Sequence, residues 1–156
     1  MGGSLGSAEG EKVFRLFSHA VAKRFPVIGF CQSGGARMQE GLVALGQMAK
    51  VSVGLAYLGT AGLPYISVVC DPCIGGVYAS FAQSPDLTFA EPGARMGISG
   101  ARVSDNVCVT EKERIAKTKV QLAESRLENG AIDAVLPRPC QRPALISALR
   151  FFGKDS

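Results

Sequence analysis

The sequence is poor in the residues that most hydrolytic and nucleic-acid-binding sites require. It contains no tryptophan, aromatic residues make up 7% of it, and His19 is its single histidine. A Ser/His/Asp triad needs a histidine beside its nucleophile, whereas His19 falls in a predicted helix as an ordinary surface or packing residue. Serine-type hydrolytic triads are therefore disfavoured, and the absence of a recognisable binding module argues against nucleic-acid binding.

Long uninterrupted apolar runs are also missing. The most apolar stretches, residues 41–58 and 63–69, are broken by Gln47, Lys50 or Pro64, and a membrane span needs roughly 20 apolar residues. No membrane-spanning helix is predicted. The opening MGGSLGSAEGEK lacks the basic start and apolar centre of a secretory signal, so we expect a cytoplasmic protein. In that compartment an odd number of cysteines, five, indicates free thiols.

The length and composition predict one globular domain, residues 1–156, with a well-filled core. The chain has 156 residues, of which 47% are hydrophobic. Its net charge of +4 lies in the carboxy-terminal part: residues 1–93 hold six basic and six acidic side chains, and residues 94–156 hold eleven and seven. This excess could attract an anionic ligand. The interspersed signs at 111–119 are more typical of a solvated helix surface.

Apolar periodicity alternates between helix and strand along the chain. The predicted helices are 9–24, 38–58, 76–83, 111–128 and 143–152, and the predicted strands are 27–31, 65–70, 87–90, 95–98 and 132–135. Strands as apolar as YISVV are buried on both faces, which predicts an α/β domain with parallel strands. Residues 101–110 have the weakest pattern and are predicted to form a surface loop.

Two glycine pairs occupy the same position in this pattern, after a strand and before a helix. Gly34 and Gly35 follow the first predicted strand, and Gly75 and Gly76 follow the second. Without Cβ atoms a ligand can approach such a turn closely, and the following helix presents unpaired N–H groups with partial positive charge. These are the ingredients of an oxyanion hole. Between residues 76 and 90 the only acid is Asp86, so no carboxylate base is evident beside the second turn.

Cys70 and Cys73 have the spacing of half a zinc site. A closed structural site needs four ligands, and the other cysteines, Cys31, Cys108 and Cys140, are single residues without a nearby histidine. The intervening Asp-Pro suits a turn at the end of a buried strand. No metal is expected in this chain, a redox role is the less favoured alternative, and both cysteines should be replaceable by Ser or Thr. The neighbouring glycines are predicted to be the functional part.

Several stretches are ordered and specific enough to resemble a known family. SGGARMQEGLVALGQMAK, GLPYISVVCDPCIGGVYASFA, AEPGARMGISGARV and ENGAIDAV, preceded by MGGSLGSAEGEK, resemble the carboxyltransferase β subunits of bacterial and plastid acetyl-CoA carboxylases, which belong to the crotonase-like (ClpP/crotonase) superfamily. The resemblance covers residues 1–149 and implies an α/β crotonase-like spiral of ββα units. It also implies transfer of a carboxyl group from carboxybiotin to acetyl-CoA, giving malonyl-CoA.

The resemblance further implies roles for individual residues. Gly75 and Gly76 would supply backbone donors to one oxyanion, and Gly34 and Gly35 would form the other catalytic glycine turn. The adjoining thioester or CoA surface and the substrate site would be formed by Ser33, Ala36, Arg37, Gly97 and Gly100. Biotin's own nitrogen would accept the substrate proton, which agrees with the absence of a side-chain base.

The implied partners are an α-type carboxyltransferase subunit and a biotin carboxyl carrier protein, or an acyl carrier protein, in an oligomer. The sequence departs from the family in three ways. A four-cysteine zinc ribbon and an opening strand are absent before MGGS, which predicts a truncated copy; GFAGPRV reads GISGARV; and residues 104–125 differ strongly. Two alternatives therefore stay open: a biotin-independent decarboxylase of malonyl thioesters on CoA or an acyl carrier protein, and a catalytically silent structural subunit.

Overall fold

The computed structural model describes residues 2–98, 110, 113 and 119–153 of the chain. Within these ranges five strands form one sheet, and every pairing in it is parallel. The strands are β1 (Val27–Ser33), β2 (Tyr65–Ile74), β3 (Leu87–Ala90), β4 (Met96–Gly97) and β5 (Ala134–Val135). Their order is β1-β2-β3-β5, and β4 pairs with the far end of β2. The predicted parallel α/β architecture is confirmed.

Helices precede, connect and follow these strands. They are α1 (Ser7–Lys23), α2 (Gly41–Thr60) after a 3-10 turn at Met38–Glu40, α3 (Gly75–Val77) continued by a π-helical turn at Tyr78–Ala82, α4 (Ala123–Glu128) and α5 (Arg138–Phe152). Helices therefore follow both glycine pairs, as the sequence predicted.

Strand β2 is the centre of the core because it is buried on both faces. Tyr65 and Val69 belong to one apolar cluster, which they share with α1, α2 and the π-helical turn. Ile66 and Val68 belong to a second cluster, which lies against α5. Period-two alternation in a strand sends successive side chains to opposite faces, so the run YISVV fills both clusters.

Several predicted boundaries were wrong. Strand β2 does not end at residue 70 but continues to Ile74, because its last residues pair with β1 and β4. The predicted turn at Asp71-Pro72 therefore lies inside the strand, with a cis peptide bond. Helix α5 begins at Arg138 and contains Pro143, which the sequence had suggested as its first residue.

A continuous helix over 111–128 is also wrong in the part that the structure describes. Leu122 is extended and forms a bridge with Arg95, and α4 begins only after it. Two backbone hydrogen bonds hold residues 121–123 against β4 and the residues just before it. The Met96 N–H donates to the Gln121 carbonyl oxygen at 2.8 Å, and the Ala123 N–H donates to the Ala94 carbonyl oxygen at 2.9 Å. The predicted loop 101–110 lies outside the described residues apart from Thr110.

Helix α2 combines a buried stripe with an unusually apolar exposed surface. Val51 and Leu58 of α2 belong to the core around Phe17. Met38 in the preceding 3-10 turn, Leu42 and other apolar side chains near the start of α2 are exposed. By length and composition alone, Met38–Thr60 could cross a membrane, with a mean hydropathy of 1.4. Core helices pass the same test, so this is weak evidence, and the absence of a membrane span stays a prediction.

Strand β1 lies at the edge of the sheet formed by the described residues. It pairs with β2 on one side, and no described strand pairs with its other side. Phe30 at its centre is 61% exposed, and a cleft of about 340 Å³ separates the strand from apolar side chains of α1. An unpaired, apolar strand edge invites pairing with another chain.

Helices α1 and α2 cross at Gly54, where a side chain would collide with the core. A Cβ atom at this position would lie 3.0 Å from Phe14 Cδ2 and 3.3 Å from Phe17 Cδ2. We expect Gly54→Gln to lower the free energy of unfolding by about 1 to 3 kcal/mol or more. The glutamine side chain would overfill the space between the two helices and bury its amide group.

Gly46, on the same helix, is the matched control because nothing lies within 4 Å of a Cβ built there. Gly46→Gln should raise the free energy of unfolding by about 0.5 to 1 kcal/mol through helix propensity. Urea unfolding of both variants measures the two effects, and equal effects at the two positions would contradict the proposed crossing.

Candidate active site

The two predicted glycine turns are in backbone contact. Strands β1 and β2 are parallel neighbours, so both turns emerge at the same end of the sheet. A Cβ atom at Gly75 would lie 3.1 Å from Gly35 Cα, and one at Gly35 would lie 3.2 Å from the Ile74 carbonyl oxygen. Both glycines also have positive φ, 102° at Gly35 and 67° at Gly75. Only glycine fits there without strain. We call residues 34–36 and 75–76 the glycine junction.

The amides of the first turn are not equally available to a ligand. The Gly34 N–H donates to the Gly2 carbonyl oxygen at 3.0 Å, and the Gly35 N–H donates to Ser33 Oγ at 3.1 Å. Ala36 differs, since its N–H has no acceptor among the described residues. The catalytic role expected of Gly34 and Gly35 stays a prediction, and their occupied amides limit it to the shape of the turn. Ala36, expected only in the substrate surface, has the available donor.

The second turn opens a helix and is covered by a methionine. Gly75 and Gly76 are the first residues of α3, and the first amides of a helix have no acceptor within it and a partial positive charge. A Cβ at Gly76 would lie 2.9 Å from Met48 Cγ and Sδ and 3.8 Å from Ala36 Cβ. Met48 of α2 therefore lies over the junction. Sequence reasoning missed it, because its place depends on how α2 crosses the end of the sheet.

The opening residues of the chain complete the first turn. Ser33 Oγ donates to the Gly3 carbonyl oxygen at 2.7 Å, and the Leu5 N–H donates to the Gly35 carbonyl oxygen at 2.8 Å. Gly2 and Gly3 have φ values of 59° and 64°, which favour glycine. Ser33 thus connects two backbone segments, and the sequence predicted it only as part of a substrate surface. Contacts between residues 30 positions apart leave no local signal in the sequence.

Arg37 follows the first turn but faces protein groups. Its guanidinium forms ion pairs with Glu9 and Glu40, both at 2.8 Å, and its side chain is 19% exposed. The Arg37 hydrogen bond is the main reason that the pKa of Glu9 is lowered to about 2, and the two carboxylates raise the pKa of Arg37. In this arrangement Nη1 and Nη2 of Arg37 are both bound to protein acceptors, and the CoA contact expected from the sequence stays a prediction.

Gly97 lies beside the glycine junction in the interior of the protein. It lies in β4, is buried, and pairs with Ile74, the residue before Gly75. A Cβ there would lie 3.2 Å from Gln121 Cγ, so the position is packed by protein. The structure therefore places Gly97 beside the second turn but beneath its surface. Gly100, expected with it in the substrate site, lies outside the described residues.

An ion pair between Asp71 of β2 and Arg95, the residue before β4, connects these two strands. Asp71 Oδ1 accepts hydrogen bonds from the backbone N–H and Nε of Arg95, each at 2.9 Å, and Oδ2 accepts one from Nη2 at 3.0 Å. The Arg95 guanidinium lowers the pKa of Asp71. The Cys73 N–H donates to the Arg95 carbonyl oxygen at 2.8 Å. These contacts place the strand end from which Gly75 and Gly76 emerge.

The two cysteines before the second turn are protonated at neutral pH, Cys73 in the core and Cys70 half-buried. Burial raises the pKa of Cys73 to about 12 and also raises the pKa of Cys70. Metal ligation and nucleophilic attack require the thiolate. In the part of the chain that the structure describes, His, Cys, Asp and Glu residues nowhere form a group of three or more that could hold a metal ion.

We expect the purified chain to contain no stoichiometric zinc and Cys70→Ser/Cys73→Ser to change nothing in its metal content. Cys140 is exposed and Cys73 is buried, so a thiol reagent should label Cys140 in the native state and Cys73 only after unfolding. Cys140→Ser is the control for labelling. Zinc that is present in the unmodified chain and released in the double variant would overturn this assignment.

Comparison with known proteins places this geometry in a family. The carboxyl transferase domain model matches residues 1–141. The acetyl-coenzyme A carboxylase carboxyl transferase subunit beta of Levilactobacillus brevis is 49% identical over 154 residues, which are 99% of this chain and 54% of the relative. The subunit of the same name from Alkaliphilus oremlandii is 49% identical over 150 residues, which are 96% and 53% of the two chains. The chain thus spans about half the length of these curated relatives.

Solved structures share the fold. A transcarboxylase 12S structure with methylmalonyl-coenzyme A and methylmalonic acid bound has a TM-score of 0.79 at 26% identity, covering 94% of this chain and 28% of that one. A Pseudomonas malonate decarboxylase heterodimer has a TM-score of 0.79 at 23% identity, covering 97% and 65%. An enoyl-CoA hydratase/carnitine racemase from Magnetospirillum magneticum has a TM-score of 0.71 at 14% identity, covering 98% and 67%. The last two likenesses concern the fold alone.

The crotonase-like fold predicted from the sequence is confirmed by these structures. Because the family match runs from residue 1 to residue 141, it includes both glycine turns and the segments packed around them. This chain belongs to the carboxyl transferase domain family.

Proposed function

We propose that the chain is the β-type part of an acyl-CoA carboxyltransferase that transfers a carboxyl group from carboxybiotin to acetyl-CoA, giving malonyl-CoA. The observation that supports this most directly is the backbone contact between two strand-end glycine turns in a carboxyl transferase domain. The two relatives at 49% identity, both carboxyl transferase β subunits of acetyl-coenzyme A carboxylase, support the same reaction.

The residues of the junction supply polarisation without a side-chain acid or base. The atoms nearest to Gly35, Gly75 and Gly76 are backbone atoms and the side chains of Met48 and Ala36. The amides of Ala36, Gly75 and Gly76 are the donors that would meet negative charge developing on a thioester or ureido oxygen. Such preorganised donors cost no reorganisation during the reaction, which is why they are effective.

The junction also fits the groups that the reaction needs. Because Gly34, Gly35, Gly75 and Gly76 have no Cβ atoms, the two turns pack directly against each other and against Gly2 and Met48, and this close packing would bring the amides of both turns to one planar carbonyl group. Carboxybiotin on its carrier protein would supply the carboxyl group and a ring nitrogen that accepts the substrate proton. The chain's own residues would bind and orient the CoA thioester, with Met48 limiting access of water at Gly76.

The chain also requires partners in this proposal. We propose an α-type carboxyltransferase subunit, a biotin carboxyl carrier protein and an oligomeric assembly, in the cytoplasm and without nucleic acid or membrane. The edge of β1 with which no described strand pairs, and its exposed Phe30, support association. So do the exposed apolar side chains of Met38 and Leu42, which lie shortly after the first glycine turn.

Decarboxylation of a malonyl thioester on CoA or an acyl carrier protein is the second candidate. The observation that favours it is the junction itself, because donors that stabilise charge on the thioester oxygen serve carboxylation and decarboxylation alike. The acyl carrier protein would then replace the biotinyl carrier as partner. A third possibility, a structural subunit without activity, predicts no turnover in either direction.

One assay separates these functions. The purified chain is combined with an α-type subunit and carboxybiotin carrier protein, and malonyl-CoA formation from acetyl-CoA is measured; release of carbon dioxide from malonyl thioesters is measured without biotin. Malonyl-CoA formation that requires both partners supports the carboxyltransferase. Biotin-independent carbon dioxide release supports the decarboxylase and overturns the first proposal. No turnover in any arm, with the mixture shown to form a complex, indicates the structural subunit.

Gly75→Ala should lower turnover by about two to three orders of magnitude, the cost of losing one oxyanion donor. The new Cβ would press against Gly35 Cα, so the two turns must separate. Turnover in the carboxyl-transfer assay measures the effect.

Gly93→Ala is the matched control. Gly93 has a φ of 70°, close to that of Gly75, yet nothing lies within 4 Å of a Cβ built there. Both variants therefore bear the same backbone strain, and only one disturbs the junction. Similar turnover in the two variants would remove the junction from the mechanism.

A further inference from the structure

One arginine ties the opening residues of the chain to the first glycine turn. Arg37 Nη2 donates to Glu9 Oε1 and to the Ser4 carbonyl oxygen, both at 2.8 Å, and Nη1 donates to Glu40 Oε1 at 2.8 Å. Three acceptors from three parts of the chain thus converge on one guanidinium. The planar fork of arginine can satisfy such a set, whereas the single ammonium of lysine cannot reach it in the same geometry.

The two carboxylates that bind Arg37 also accept hydrogen bonds from backbone amides at the start of α1. Glu9 Oε2 accepts a hydrogen bond from the Gly6 N–H at 2.9 Å, and Glu40 Oε2 accepts one from the Ser7 N–H at 2.6 Å. Gly6 is buried against the network, and a Cβ there would overlap Glu40 Oε1 and lie 2.6 Å from Arg37 Nη1. The guanidinium is therefore enclosed by the amino terminus of α1.

The same segment brackets the available amide of the junction. The Leu5 N–H donates to the Gly35 carbonyl oxygen, and the Arg37 N–H donates to the Leu5 carbonyl oxygen, each at 2.8 Å. Ala36 lies between these two bonds. A shift of Leu5 would rotate the peptide units on both sides of Ala36 and so change the direction of its N–H.

We propose that Arg37 is a positioning residue: through Glu9 and Glu40 it holds residues 2–7 against the first glycine turn and thereby sets the direction of the Ala36 amide. This inference rests on the proposed function. It differs from the CoA contact expected from the sequence, because the three acceptors of Arg37 are protein groups. The network is charged at neutral pH, because the Arg37 hydrogen bond lowers the pKa of Glu9 to about 2 and the carboxylate is protonated in the folded chain only as the pH approaches that value.

Steady-state kinetics of Arg37→Met, in the assembled enzyme, tests the proposal. We expect kcat to fall about 10- to 100-fold, in line with the cost of a misplacement of roughly 1 Å, while KM for the CoA thioester changes by less than about threefold. Arg15→Met is the control, because Arg15 also pairs with a glutamate on α1 but on an exposed surface. An increase in KM at unchanged kcat would identify Arg37 as a substrate ligand and overturn the proposal, and so would kinetics equal to those of Arg15→Met.

Glu40→Gln gives an independent test should Arg37→Met fail to fold. If Arg37, Glu9 and Glu40 act as a clamp that holds residues 2–7 against the first glycine turn, Glu40→Gln weakens this clamp and lowers kcat, with a smaller effect than Arg37→Met. A substrate-binding Arg37, released from one carboxylate, would instead bind an anionic thioester more tightly and lower KM. The second outcome contradicts positioning.

Hydrogen exchange separates the clamp from the reaction itself. In Arg37→Met, or in Glu40→Gln, the Leu5 and Arg37 amides should exchange at least about tenfold faster than in the unmodified chain, while Ile66 and Val68 in β2 keep their protection. Unchanged exchange at Leu5 and Arg37 would overturn the clamp. If the unmodified assembly shows no carboxyl transfer, the proposed function fails, and this exchange measurement alone decides the clamp.

Discussion

The contact between Gly35 and Gly75 is the constraint on which the rest of the site depends. Two parallel neighbouring strands end at the same level, and their turns meet so closely that a Cβ on either one would press against the other. A helix follows each turn, and α3 begins at the contact itself. Met48, the opening residues and β4 then pack around this contact. The chemistry of the site thus follows from the absence of side chains at one point in the fold.

Two arginine networks support the two turns in similar ways. Arg37 joins the first turn to α1 through Glu9 and Glu40, and Arg95 joins β4 to the strand end that precedes the second turn through Asp71. Partly exposed ion pairs contribute little to global stability, typically below about 1 kcal/mol each. Their multiple hydrogen bonds do restrict direction, because an arginine fork accepts few geometries. Orientation of the turns is therefore the effect to look for, rather than a large change in the free energy of unfolding.

The parts of the structure that could be predicted from the sequence are those with local signals. Strand β3 was predicted at its observed bounds, and both glycine pairs were placed between a strand and a helix, because apolar periodicity and glycine mark such elements directly. The extension of β2 through Asp71-Pro72 could not be predicted, since its partners lie on β1 and β4. The ion pairs of Arg37 could not be predicted for the same reason, since one of its partners, Glu9, is 28 residues away. The available amide of Ala36 depends on which neighbouring amides are occupied, and residue types do not record this.

The fold alone does not select a reaction, because a transcarboxylase, a malonate decarboxylase and an enoyl-CoA hydratase share it. The junction offers donors for developing negative charge, and that requirement is common to reactions at a thioester carbonyl. The groups that distinguish these reactions must then lie on the other side of the substrate from the amide donors. In this chain the side chains that follow the first turn, Met38 and Leu42, are apolar and exposed, and so is Ile98 beside the second turn. Such a surface is suited to a protein partner, so in the proposed function the choice between adding and removing a carboxyl group would depend on the assembly, and this chain would contribute the donors that polarise the oxygen.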